Sequence, residues 1–301
     1  MDADLDTLLI ALYVELVDHI IPGQGLRTRR GPGRPRLVTD AEIVCLAVAQ
    51  VLLRFYDERH WMRGARSRVG HLFPRLLAQS EYNERIKQAA GLMEAAVRWL
   101  ADRTPGTAEQ LRLMDATPIS CGQSKTTAQR SDLFGWAGYG YESAHSRWYW
   151  GVKLLLLTTP DGTVTGFGLA NPKLFGERAE TREILTGQPA NRPRPGSIVV
   201  TDKGLSGADS EQFFTDLDLT LVRPARRDET TPRAFPNWLR QRIEAIIWTL
   251  KSQLGLEQHR ARVPAGLWAR ILQRLLALNA VIWHNWTIGA PVKRSLIAYD
   301  H

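Results

Sequence analysis

Ser197-Ile198-Val199-Val200-Thr201-Asp202-Lys203-Gly204 carries a short apolar run that stops on a carboxylate and then turns. Ile198, Val199 and Val200 show the pattern of a strand buried on both faces. A carboxylate at the C-terminal end of such a strand lies where open α/β sheets place their chemistry. The plainer reading is that Asp202 starts a surface turn, since Asp near Gly is a frequent turn pair. The stretch alone does not choose between them. Its neighbours do.

Upstream, Gln110 to Met114 alternates as a strand and ends on Asp115, with Ala116-Thr117-Pro118 expected to break it. Cys121 to Ser146 reads as a polar loop rich in Gly and aromatic residues. Trp148 to Thr159 and Thr163 to Leu169 read as two strands around the hairpin signal Pro160-Asp161-Gly162. Glu177 to Leu185 is a short helix. Downstream come a helix from Ser206 to Phe214, a strand from Leu219 to Val222 and a basic, proline-bearing loop from Arg223 to Pro236. A long helix then runs from Pro236 to Leu254, with Pro where a helix start tolerates it and Gly255 at its end. Glu244 sits on that helix among Ile243, Ala245, Ile246 and Ile247. Spacings of four and seven place Arg240, Glu244 and Lys251 on one face. A last amphipathic helix spans Gly266 to Trp286, with Leu267, Ile271, Leu275, Leu278 and Ile282 on its stripe. The expected class is α/β, a mixed sheet flanked by helices, preceded by an all-α N-terminal domain.

That first domain is expected over residues 1–105. Leu8, Leu12, Leu16 and Ile20 recur along a helix from Leu5 to Ile21. Residues 23–36 form a basic Gly/Pro/Arg linker that can be neither helix nor central strand. Its Gly33-Arg34-Pro35 core resembles an AT-hook, in which Arg34 and Arg36 would enter a narrow minor groove; a simple charged linker is the equal alternative. Thr39-Asp40-Ala41-Glu42 is a capping box that opens a helix reaching Leu53. Helical pattern follows over Glu58 to Gly64, and Ser80 is read as the cap of a run ending near Trp99. Arg59, Arg63, Arg66, Arg68, Arg75 and Arg85 spread positive charge over this region. Either it holds a helix-turn-helix unit for DNA or it is a bundle with a solvated basic face. The sequence selects no recognition helix. Thr104-Pro105-Gly106 marks the boundary, and residues 106–301 are expected to form the second domain.

Composition narrows the partner. The 301 residues are 44% hydrophobic and 23% charged, as in a soluble globular chain, with a net charge of +8 and a pI near 9.8. That balance favours a polyanion, nucleic acid before an anionic membrane. Cys45 and Cys121 form neither a CxxC motif nor a disulfide framework, which fits a reducing cytosol. The first 21 residues carry Asp2, Asp4, Asp6, Glu15 and Asp18, unlike a secretory signal. No run of about 18 apolar residues is apparent, so a cytoplasmic protein without a membrane partner is expected.

Two aspartates at adjacent strand ends and a glutamate on a covering helix are the donor set that phosphodiester chemistry uses. Displacement at a phosphate needs an activated attacking oxygen and a stabilised leaving oxygen, which two divalent ions about 4 Å apart supply. Mg²⁺ takes oxygen ligands and keeps several waters, so a few carboxylates suffice. Met114-Asp115-Ala116-Thr117-Pro118-Ile119, Val200-Thr201-Asp202-Lys203-Gly204 and the helix motif Arg240-Gln241-Arg242-Ile243-Glu244 with Lys251 together resemble the DDE transposases of bacterial insertion sequences. The resemblance covers roughly Gln110 to His259 and implies an RNase H-like core. It implies Asp115, Asp202 and Glu244 as catalytic ligands of two Mg²⁺ ions, with Mn²⁺ as a substitute. Arg240 and Lys251 are implied as DNA contacts, with Lys203 placed beside them. A Tyr that opens the helix motif in several such families is replaced here by Asn237, so its contribution is absent. The implied partners are terminal inverted repeats and target DNA, with a homo-oligomer assembled on them. The alternatives are a non-cleaving DNA-binding protein derived from a transposase, or another RNase H-like nuclease.

Other residues invite weaker readings. Trp136, Tyr139, Tyr141 and Trp148 could stack an unpaired base, but Trp148, Trp150 and Trp248 are expected in the core. The seven His residues show no ligand spacing. Asp161 belongs to a hairpin turn, and Ser124 and Ser206 have no triad pattern.

Overall fold

Asp4 opens the first helix, α1 (Leu5–Glu15), by accepting a hydrogen bond from the Thr7 amide at 2.7 Å. That bond satisfies an amide the helix itself leaves unpaired. The computed structural model describes residues 3–24, 36–142, 146–173, 177–187, 192–225, 229 and 235–300. The Gly33-Arg34-Pro35 arm lies outside them. The apolar stripe of α1 continues through a π-helical turn (Leu16–Ile20) into α2 (Ile21–Gly23), and Leu8, Leu12, Leu16 and Ile20 are all buried. The capping box of α3 (Asp40–Leu52) closes both ways. Glu42 donates its amide to Thr39 Oγ1 at 3.2 Å, and Thr39 donates its own to Glu42 Oε2 at 2.6 Å.

Helices α4 (Glu58–Val69), α5 (Gln79–Gln88) and α6 (Ala90–Asp102) follow. The single run expected from Ser80 to Trp99 is therefore two helices. Ala89, with ψ near 1°, leaves the helical path between them. Ser80 lies within the first turn of α5, whose N-cap is Ala78.

A second compact unit spans Thr104–Thr249. It contains β1 (Leu111–Gly122), α7 (Lys125–Arg130), β2 (Gly138–Glu142), β3 (Arg147–Thr158), β4 (Val164–Ala170), α8 (Glu177–Thr186), β5 (Ile198–Val200), α9 (Ala208–Asp216), β6 (Thr220–Val222) and α10 (Asn237–Trp248). Strand β1 is central, antiparallel to β3 and parallel to β5, which runs parallel to β6. The outer edge of β3 is shared by β2 over its first half and β4 over its second. This is the mixed α/β, RNase H-like sheet that the sequence leads one to expect.

Two local expectations need correction. Strand β1 does not break at Pro118, which pairs with Lys153 of β3. Pairing with β5 stops at Leu113, so Pro118 lies where β1 has an open side, and an open edge tolerates the missing donor. The supposed loop from Cys121 holds α7, capped by Ser124 accepting from the Thr127 amide at 3.1 Å, and the edge strand β2. Gly151 explains part of this register. A Cβ there would lie 1.9 Å from the Ile119 carbonyl oxygen, a backbone atom that cannot swing away. Gly151→Ala is expected to destabilise the sheet by about 3 kcal/mol, read as a lower urea midpoint. An unchanged midpoint would mean the β1–β3 register relaxes freely.

One face of the sheet buries Met114, Leu157, Val199 and Leu219 against Leu185 of α8 and Phe214 of α9. The last long helix, α11 (Pro264–Thr287), belongs elsewhere. It packs on α1, α3, α5 and α6, and Leu250–His301 forms one compact unit with Met1–Arg103. The division thus differs from the expected domain over 106–301. The cause is visible in α11, where Leu267 and Ala269 through Asn285 are all buried, with no face left for water. By length and composition this helix could cross a membrane, contrary to the sequence expectation, yet 83% of its apolar window is buried. Within the helical unit it is the core helix.

Candidate active site

Strands β1 and β5 run in parallel with Leu113 opposite Val200. Asp115 stands two residues beyond Leu113, and Asp202 two residues beyond Val200. The two carboxylates therefore share one register position on neighbouring strands, which lie about 4.8 Å apart. Met114 and Val199 point into the α8–α9 core, so alternation sends Asp115 and Asp202 to the opposite face.

Asp202 lies just past β5, but its backbone is extended, and the Thr201 amide still donates to the Val222 carbonyl at 2.9 Å. Its Oδ1 accepts from the Gly204 amide at 2.7 Å and so caps a short 3₁₀ turn, Lys203–Leu205. The strand-end and turn readings of Asp202 are both right. Lys203, next in the chain, is exposed. Asp115 Oδ1 accepts from the Ala116 amide at 2.7 Å, which fixes one of its oxygens.

Helix α10 packs against β1 through an apolar side bearing Leu239, Ile243 and Ile246. Arg242 pins it by donating from Nε to the Pro160 carbonyl at 2.7 Å. The opposite side of α10 carries Arg240 and Glu244, ion-paired at 2.9 Å and both about half exposed or more. Lys251 differs from the expected shared face. It falls in a π-helical segment (Thr249–Gln253), is largely buried, and lies 3.0 Å from Glu257. Arg36, the described part of the basic arm, is 2.9 Å from Asp40.

The structure therefore places Asp115 and Asp202 each two residues past the last paired rung of β1 and β5, on one face of the sheet, and pairs Arg240 with Glu244. Among the described residues, no three His, Cys, Asp or Glu side chains are gathered closely enough to hold a metal ion. Asp161 is held by its turn, Oδ1 accepting from the Thr163 amide at 3.2 Å, the Thr163 hydroxyl at 3.0 Å and the Thr159 hydroxyl. Two tryptophans expected in the core are not there. Trp148 is 71% exposed beside Tyr141 at the start of β3, although Trp150 two residues on, on the same face, is buried, and Trp248 is 58% exposed at the end of α10. Trp150 is buried.

The family described as Transposase DDE domain matches residues 106–280, more than half of the chain and all of the strands, with both aspartates and α10. The chain belongs to the DDE transposases. No curated protein and no solved structure matches it. Divalent metal ions are general in this transposase family, and the donor chemistry here suits one. Asp115, Asp202 and Glu244 offer only carboxylate oxygens, the ligands that hard cations prefer. Two of the three already share a register position. Glu244 would have to exchange Arg240 for the ion, and an exposed pair of this kind contributes only about 0.3–0.5 kcal/mol.

Proposed function

We propose that this transposase cleaves DNA at the ends of a bacterial insertion sequence and joins the freed 3′-OH to target DNA. The register of Asp115 against Asp202, at the end of the only parallel pairing that β1 makes among the described residues, carries the reading. Asp115, Asp202 and Glu244 would hold two Mg²⁺ ions, or Mn²⁺ in their place, which activate the attacking oxygen and neutralise charge on the leaving one. The remaining work falls to the protein. Lys203, exposed beside Asp202, offers a point charge to a neighbouring phosphate, and Arg240, once released by Glu244, offers a two-pronged one. The helical unit, with Arg36 and the Arg34 arm, would hold terminal repeats, and Lys251 would contact DNA only by exchanging Glu257 for a phosphate. Acting on two ends calls for at least two copies in the complex.

The test is a cleavage assay on DNA bearing the sequences that flank the gene, with Mg²⁺, Mn²⁺ or EDTA. Nicks at the repeat boundary that vanish with EDTA support the reading. Specific binding without nicking in either metal would instead favour a non-cleaving descendant. In the same assay Arg240→Ala should slow cleavage while moving the melting midpoint by no more than about 2 °C, since the pair it breaks is exposed. A large loss of stability would make Arg240 a structural residue.

A further inference from the structure

We propose that the outer face of α4, formed by Arg59, Arg63 and Arg66, is a docking surface for the phosphate backbone of duplex DNA; this rests on the transposase reading above. The three residues follow one another at intervals of four and three, so they form one stripe. All three are exposed, and among the described residues none is ion-paired to an acid, although the charge and backbone N–H of Arg59 help hold the Asp57 carboxyl below its usual range. Asp57, the acid next to the start of α4, is held at 2.5 Å by Arg260 and accepts from the His60 amide at 3.0 Å. Glu58 is turned inward, to Asn83, Gln79 and Arg270.

Folding accounts for little of this stripe, since only Arg59 gains anything from an acid, the charge of Asp57. Arg59 is the second residue of α4, where a cation opposes the positive end of the helix dipole. Like charges three and four residues apart also weaken a helix. Arg66, in the last turn, is favoured by the dipole; Arg59 and Arg63 are not. A face whose charges work against its own helix fits a polyanionic partner, and the chain's charge of +8 points the same way.

The geometry matches duplex DNA. Seven residues of helix separate Arg59 from Arg66 by about 10 Å, and a duplex carries a negative charge about every 1.7 Å of its axis. The inner side makes the platform firm. Trp61, Ala65 and Val69 are buried, and Phe55 packs on Trp61 with ring centres 5.4 Å apart. The other conspicuous exposed group, Tyr141 with Trp148, has no comparable charge to name its partner.

The experiment uses the full chain and fluorescence anisotropy on a labelled duplex of random sequence, and on one carrying the flanking repeat, between 50 and 200 mM salt. Arg59→Gln/Arg63→Gln/Arg66→Gln should bind both duplexes at least about tenfold more weakly at the upper salt. Its salt dependence should be shallower by about two to three counterions. Its melting midpoint should be equal or higher, because repulsion within α4 is relieved. The Lys triple variant should keep most of the affinity, as phosphate contacts need only charge. If the Gln triple variant does not fold, Arg63→Gln alone should still lower the salt slope by about one.

Undiminished binding by the Gln variants would overturn the assignment, as would a Lys variant that loses preference for the repeat, which would mean base reading. Loss of binding to phosphatidylserine vesicles with DNA binding intact would overturn it in favour of a membrane. Wild-type protein that binds no DNA at all would sink the transposase reading itself, a different failure.

Discussion

Asp202→Asn is expected to abolish DNA cleavage and joining while leaving the fold and DNA binding in place, and Asp115→Asn to do the same. Asparagine keeps the shape and the oxygen that each aspartate already uses within the protein. An asparagine Oδ1 in place of that of Asp202 would still accept from the Gly204 amide, and one in place of that of Asp115 from the Ala116 amide. What is lost is the negative charge that would hold a cation against the scissile phosphate. Interactions of that kind are worth several kcal/mol in the transition state, so a loss on the order of a thousandfold or more is expected. The melting midpoint should stay within a few degrees, because both of these backbone hydrogen bonds survive the exchange. Cleavage by Asp202→Asn at the wild-type rate, with Mg²⁺ present, would remove Asp202 from the ligand set. Glu244→Gln is a weaker discriminator of the same idea, since it also breaks the pair with Arg240.

These aspartates were legible in the sequence because both the strand that leads to each and the alternation that aims it are local. Four β-branched residues before Asp202 and an alternating run before Asp115 suffice to place each at a strand end, while the pairing that makes those strands neighbours is long-range. The capping box at Thr39 is local too, and it forms as written. What the sequence hides depends on partners far away. Pro118 reads as a breaker because nothing local reveals that β5 stops at Val200 and leaves that side of β1 open. Trp148 reads as core because its alternation matches buried Trp150, and nothing local reveals that the covered part of β3 starts only after it. The stripe on α11 is plain, but it describes only one side of a helix buried on every side, and its partners lie some two hundred residues upstream. Glu244 illustrates a third limit. Its spacing from Arg240 announces the pair without saying whether that pair or a metal ion claims the carboxylate.

The same distant closure supplies the second large effect. Glu58→Ala is expected to destabilise the helical unit by about 3–5 kcal/mol. Glu58 begins α4 and is the one acid among the described residues paired with Arg270 of α11. It also accepts from Asn83 at 3.0 and 2.9 Å and from Gln79 at 3.1 Å. Arg270 is buried, and burial draws its guanidinium down to about 10, so at neutral pH it still carries its charge. The neighbouring Arg274, also buried, bonds the Gly255 and Arg270 carbonyls and adds a second positive charge rather than a counter-ion. Removing Glu58 therefore leaves two buried cations without the one carboxylate that tied α4 and α5 to α11. The sign of a compensating change follows from the same logic. Glu58→Leu with Arg270→Met exchanges the pair for apolar contact and should recover most of the loss, whereas either change alone should not. Urea midpoints of the four proteins form the cycle that measures it. A Glu58→Ala protein within about 1 kcal/mol of wild type would show that water reaches Arg270 and that the two ends of the chain are held together by apolar packing alone.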